Sequence, residues 1–129
     1  MKKTLSILLV AVAIAFNGYA SIQTDKTPAP WLKKATDVIN YQLKQASNKY
    51  SPGQNPRSTN PDGSVRLANY KDWTTGFFPG SLWYGYELTG DKDLASQAKR
   101  FTLALDSVRY IKDTHDVGFM LYCSYGNAY

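Results

Sequence analysis

Sulfur and imidazole are scarce in this chain: its 129 residues hold one cysteine, Cys123, and one histidine, His115. A lone cysteine excludes an internal disulfide, and its apolar and aromatic neighbours suit a buried, unreactive thiol. Zinc and iron sites take three or four ligands from a restricted set of side chains. One Cys and one His argue against both, and no metal or cofactor is expected. An oxygen-ligated calcium site stays open, although no recognisable calcium loop is present. Long hydrophobic runs are missing too. The apolar stretch from Ile7 to Phe16 is well short of the ~20 residues that cross a bilayer, so no membrane anchor is expected. Basic residues outnumber acidic ones by 15 to 10, yet the lysines are scattered along helix faces and leave no nucleic-acid footprint.

Among the features present, Lys2-Lys3, the short apolar run and the small residues Gly18 and Ala20 read as a secretory signal peptide cut after Ala20. That implies a secreted or periplasmic protein. No cysteine follows the cut, which argues against a lipoprotein. Removing residues 1–20 leaves 13 basic against 10 acidic residues, a net charge of +3. A hydrophobic fraction of 43% fits a globular fold, and residues 21–129 read as one domain.

Helical spacing dominates after a polar lead-in from Ser21 to Pro30. Pro30 suits a first helical position, and Trp31, Ala35, Val38, Ile39, Leu43 and Ala46 share one face of the helix it opens. Lys49 to Asp72 is dense in turn signals (Pro52-Gly53, Asn55-Pro56, Asn60-Pro61-Asp62-Gly63), with a short extended piece near Val65-Arg66-Leu67. Pro79 to Leu88 is a helix apolar nearly all round, which predicts burial on both sides. Gly85 inside it costs roughly 1 kcal/mol against Ala, so a close packing contact is expected there. Gly90 is placed as a left-handed cap and Asp91 as the N-cap of the next helix. That helix is expected from about Lys92 to Val108, burying Leu94, Ala98, Phe101, Leu105 and Val108. A fourth is expected to begin near Met120.

Two segments carry candidate chemistry. Asp72-Trp73-Thr74-Thr75-Gly76-Phe77-Phe78-Pro79-Gly80 offers an indole face that can serve either a core or a stacked sugar ring. Thr114-His115-Asp116-Val117-Gly118-Phe119-Met120 places a carboxylate on a loop between helices, where function concentrates. The alternative for Asp116 is a helix cap, with His115 in a structural hydrogen bond.

Together with Tyr86-Glu87-Leu88-Thr89-Gly90-Asp91 and Cys123-Ser124-Tyr125-Gly126-Asn127-Ala128-Tyr129, these segments resemble the unsaturated glucuronyl hydrolases (glycoside hydrolase family 88) in order and spacing. The resemblance implies an all-α fold, the (α/α)6 barrel of six inner and six outer helices. The substrate it implies is the 4,5-unsaturated uronic acid that lyases leave at the non-reducing end of a glycan. The implied reaction hydrates a vinyl ether: C4 is protonated, positive charge develops at C5, water adds there, and the hemiketal collapses. It assigns Asp116 to one of two essential aspartates, His115 to a substrate contact and Trp73 to an aromatic wall of the sugar subsite. The family's main proton donor has no counterpart here; Asp72, Asp106 and Asp113 are poor substitutes, and Asp72 reads as a structural partner.

A twelve-helix barrel needs well over twice this length, so a partial barrel of three to four helices is expected, inactive by itself. The competing readings are a carbohydrate-binding unit stacking sugars on Trp31, Trp73 and Trp83, an inactive structural fragment, and an unsaturated galacturonyl hydrolase of related architecture. The partner in each enzymatic case is an unsaturated oligosaccharide; the glycan and the oligomeric state are left open.

Overall fold

A computed structural model describes residues 28–129. The signal peptide expected at residues 1–20 lies outside them. The order is α1 (Pro30–Lys49), β1 (Asn55–Thr59), β2 (Val65–Ala68), α2 (Phe77–Thr89), α3 (Lys92–Leu103), a 3₁₀ segment (Asp106–Tyr110), α4 (Val117–Leu121) and a π-helical turn (Tyr122–Gly126). No helix among the described residues is long and apolar enough to cross a membrane.

The α2–α3 hairpin is the centre of the fold. Gly90 ends α2 in the left-handed region at φ 69°, its N–H bonded to the Tyr86 carbonyl, and the Asp91 carboxylate opens α3 by accepting from the Asp93 N–H. Both caps stand where the sequence placed them. Phe78, Leu82, Leu94, Ala98 and Phe101 pack between the two helices, with the Phe78 and Phe101 rings edge to face at 5.0 Å. Gly85 is the three-helix contact its position predicts. A Cβ there would lie 2.7 Å from Leu43 Cδ1 of α1 and 2.9 Å from Leu94 Cδ1 of α3. Lys44 ties α1 to the same corner, reaching Asp91 at 3.0 Å and Asp93 at 3.1 Å. Its hydrogen bond holds the Asp91 carboxyl below the usual carboxylate range.

Two expected faces are only partly covered. In α1, Leu43 and Ala46, with Tyr50 just beyond, pack on the core, but Trp31 is 71% exposed and Val38 and Ile39 are exposed as well. The partners of α1 are α2 and α3, and its core contacts come from the C-terminal half, so the stripe's first half meets no core. In α2 the Leu82 side is buried while Tyr84 and Leu88 are exposed, so burial on both sides is not seen among the described residues.

The third helix ends at Leu103 instead of Val108. Leu105 N–H bonds the Thr102 carbonyl and Val108 N–H that of Leu105, the three-residue spacing of a 3₁₀ turn. The tightening turns Leu105 and Val108 onto Met120 in a second cluster. Helix α4 begins at Val117, three residues before its expected start.

The turn-rich segment is a β-hairpin added to the otherwise helical body. Its strands pair antiparallel, Asn55 with Ala68 and Thr59 with Val65, around a loop in which Gly63 adopts φ 81°. The Val65–Leu67 piece was readable as extended; its partner Asn-Pro-Arg-Ser-Thr lacks the apolar alternation that marks a strand.

Candidate active site

The two chemistry-bearing segments meet. Glycines bring their backbones together: a Cβ on Gly76 would sit 2.2 Å from the Met120 carbonyl oxygen, and one on Gly80 would sit 2.4 Å from that of Cys123. Only a residue without a side chain lets the start of α2 lie this close to α4 and the π turn. The approach carries the side chains with it. The Trp73 indole, 45% exposed, meets Phe77 edge-on at 5.4 Å and Phe119 at 6.5 Å. Phe119 lies three residues along α4 from Asp116, so the indole rests on the helix that Asp116 begins.

Asp116 stands at the N-cap position of α4, as the capping alternative requires, but its side chain makes no capping bond. Instead the Thr114 hydroxyl donates to Asp116 Oδ2 at 3.2 Å while accepting from the Asp116 backbone N–H at 3.1 Å. His115 Nε2 lies 3.4 Å from the other oxygen, Oδ1. The carboxylate is about three-quarters buried and the imidazole 95% exposed. A carboxylate fixed from one side, with an oxygen left for an incoming group, can orient a hydroxyl or a water, or balance developing positive charge.

Next to it, an apolar depression of about 510 Å³ is lined by His115, Gly118, Phe119, Tyr122 and Cys123. Cys123 is therefore half-buried at a surface, not enclosed in the core as its neighbours suggested. The π turn that follows α4 contains Tyr122 and Cys123, and such turns recur at functional sites. Within it Ser124, fully buried, donates to the Met120 carbonyl at 2.7 Å, and Asn127 donates to that of Cys123 at 2.9 Å.

Asp72 serves the other segment as a structural partner. Its Oδ1 accepts from both the N–H and the hydroxyl of Thr74, and its Oδ2 faces Arg57 at 3.4 Å. Burial pushes its carboxyl upward, but the Thr74 bonds and the charges of Arg57 and Arg66 outweigh it and hold it below the usual range. Trp83 is occupied elsewhere, its indole N–H bonded to Thr102, and Trp31 lies on the open stretch of α1. The three tryptophans therefore form no common platform. Phe119 and Tyr122 were not singled out from sequence, although the three-residue spacing from Asp116 to Phe119 on a helix was a usable signal.

No family model matches the chain. Curated relatives do. It is 47% identical over 58 residues to an unsaturated glucuronyl hydrolase of Formosa agariphila, a match covering 45% of this chain and 14% of the relative. It is 42% identical over 65 residues to an unsaturated glucuronyl hydrolase of Bacillus sp. strain GL1, covering 46% and 17%. With an unsaturated chondroitin disaccharide hydrolase of Streptococcus pyogenes serotype M1 it shares 32% identity over 90 residues, covering 66% and 23%. Among solved structures, it matches the crystal structure of an unsaturated glucuronyl hydrolase specific for heparin. That match has 72% identity and a TM-score of 0.76, covering 77% of this chain and 27% of the other. The chain thus spans between 14% and 27% of the length of these relatives.

Proposed function

Since the chain belongs to the unsaturated glucuronyl hydrolases and its helices are part of an (α/α)6 barrel, we propose that the whole protein removes 4,5-unsaturated uronic acid from the non-reducing end of lyase-generated oligosaccharides. The observation that carries this reading is the Trp73–Phe119 contact, which joins the aromatic segment to the helix that Asp116 opens, with one carboxylate oxygen left free of the Thr114 bond. In the proposed roles Trp73 covers the apolar face of the unsaturated ring and His115 contacts the substrate. Asp116 orients a hydroxyl or water, or stabilises positive charge at C5. A second carboxylate, outside the motifs of this chain, delivers the proton to C4.

Heparin-derived unsaturated disaccharides are the first substrates to try, given the 72% identity to a relative described as specific for heparin. Secretion or periplasmic location is proposed on the residues preceding the described region. The test follows the ultraviolet absorbance of the C4=C5 bond. The whole protein should abolish it, Asp116→Asn should slow the loss by at least ~10²-fold, the lower end of what general acid–base groups contribute, and this 129-residue chain alone should leave it unchanged. Undiminished turnover by Asp116→Asn in the whole protein overturns the assignment of Asp116.

A further inference from the structure

Trp73 stands half in solvent, yet the backbone on either side of it is tied to strand β1. Asn55 is 1% exposed, and its Nδ2 donates both to the Thr75 carbonyl at 3.0 Å and to the Thr75 hydroxyl at 2.9 Å; Thr75 is fully buried. Its Oδ1 is buried without a partner. A buried acceptor without a partner costs free energy, which the two bonds from Nδ2 to Thr75 offset.

The second tie comes from an irregularity in the ladder. Pro56 pairs with Leu67 and Ser58 with Arg66, which leaves Arg57 as the extra residue of a β-bulge. Bulges re-aim side chains, often beside active sites. The Arg57 guanidinium faces Asp72 at 3.4 Å, with both side chains largely buried. Asp72 in turn holds Thr74 by two hydrogen bonds. The residue before the indole and the two after it are thus fixed by one strand. A lone two-stranded hairpin is marginal in water, so these ties hold the hairpin as much as the hairpin holds the loop.

We propose that strand β1 is a strap that sets the Trp73 wall against α4, the helix that Asp116 begins, with Asn55 and Arg57 as its positioning residues. They reach no sugar themselves; they act through Thr75 and Asp72, and the indole passes its position to α4 through Phe119. The consequence for catalysis rests on the sugar-site reading above, whereas the strap itself stands on geometry alone.

The test uses the full ¹⁵N-labelled chain, whose three indole N–H signals are assigned by replacing Trp31, Trp73 and Trp83 in turn with Phe. Trp83 is the internal reference, since its N–H is bonded to Thr102, away from the hairpin. Asn55→Ala should shift and broaden the Trp73 signal and leave Trp83 in place. Arg57→Gln should do so more weakly, and Arg57→Lys, which keeps the charge, should return most of the shift. A Trp73 signal unmoved by both Asn55→Ala and Arg57→Gln overturns the proposal, as does a Trp83 signal that moves as far as Trp73. Should Asn55→Ala not fold, Arg57→Gln decides, because that side chain lies at the margin of the core. Titration of the whole protein, native and with Asn55→Ala, with an unsaturated heparin disaccharide separates the two readings. If the sugar leaves Trp73 unmoved in the whole protein while Asn55→Ala still displaces it, the strap survives and the sugar site does not. If the sugar shifts Trp73 in the native whole protein and several-fold more weakly in Asn55→Ala, both stand.

Discussion

Two aromatic clusters in this molecule differ in what surrounds them. Around Phe78 and Phe101, two helices and the end of a third close on buried side chains, with Leu82, Leu94 and Ala98 packed about the touching rings. Around Trp73, Phe77 and Phe119 the rings also meet edge to face, but each is 40% or more exposed. The first cluster is held by its own burial. The second is held from beneath, by the Gly76 and Gly80 approach, the Asn55 and Arg57 ties and the Thr114 bond to Asp116. An aromatic surface kept open but fixed can accept a ligand without first collapsing on itself, and the indole, with few rotatable bonds, loses little entropy in doing so.

Breaking the closed cluster should have the largest effect. Phe101→Ala removes a fully buried ring from between the two helices, and core losses of this kind cost ~3–5 kcal/mol. Denaturant unfolding followed by circular dichroism should show the whole α1–α3 unit weakened. A change below ~1 kcal/mol would mean that the pair is not the centre of the fold.

Gly80→Ala tests the seam between the clusters. The added methyl meets the Cys123 carbonyl, a backbone atom that cannot rotate away, so the upper part of the ~1–3 kcal/mol range for overpacking is expected. The damage should fall on the open side: Trp73 and Phe119 should separate, seen as a loss of their ring-to-ring nuclear Overhauser effects, while those between Phe78 and Phe101 persist. Equal loss in both clusters would erase the distinction between them.

Acid should act on the ties before it acts on the rings. Asp72 and Asp91 both have carboxyls held below their ordinary range in the folded state. Each therefore contributes stability that is fully present above the unfolded value, about 3.9, and is lost as pH falls through the depressed folded value. Below about pH 4 the Arg57–Asp72 tie should loosen the Trp73 loop and the Lys44–Asp91 tie should loosen α1. Trp73 indole broadening should precede the loss of Phe101 ring contacts as pH is lowered. The reverse order would show that the carboxylates are not what hold the open cluster.

The closed cluster was the readable part. Its caps, Gly90 and Asp91, depend on local chemistry that one or two residues determine, and its stripe of Leu94, Ala98 and Phe101 follows from the period of a helix. Gly85 could be understood from a cost that only packing offsets. What escaped reading was non-local. Nothing in Asn-Pro-Arg-Ser-Thr announces a strand, because its role is set by an amide bonded twenty residues away and by a bulge that turns Arg57 toward Asp72. The exposed first half of α1 escaped for a related reason: periodicity shows which residues share a face, not which stretch of it finds a neighbour. For the site, Trp73, His115 and Asp116 were singled out by residue type and loop position and given roles by a resemblance, and those roles are proposals; the joining contact through Phe119 is non-local.

The smallest expected effect on stability is also the sharpest test of the open cluster. Asp116→Asn keeps the shape of the side chain and can still accept the Thr114 hydroxyl, and because the carboxylate makes no capping bond to α4, removing its charge costs the helix no hydrogen bond. The change in unfolding free energy should stay within ~0.5 kcal/mol, the range of substitutions away from structural features. Asn caps a helix about as well as Asp, so the capping alternative is tested with Asp116→Ala: losing a true N-cap side chain typically costs ~1 kcal/mol and frays the helix it starts. Amide hydrogen exchange at Gly118, Phe119 and Met120 in that variant separates the two outcomes. Unchanged protection there leaves the Asp116 charge without structural employment, as expected of a carboxylate held ready for substrate, whereas faster exchange makes it a cap and returns His115 and Asp116 to the fold.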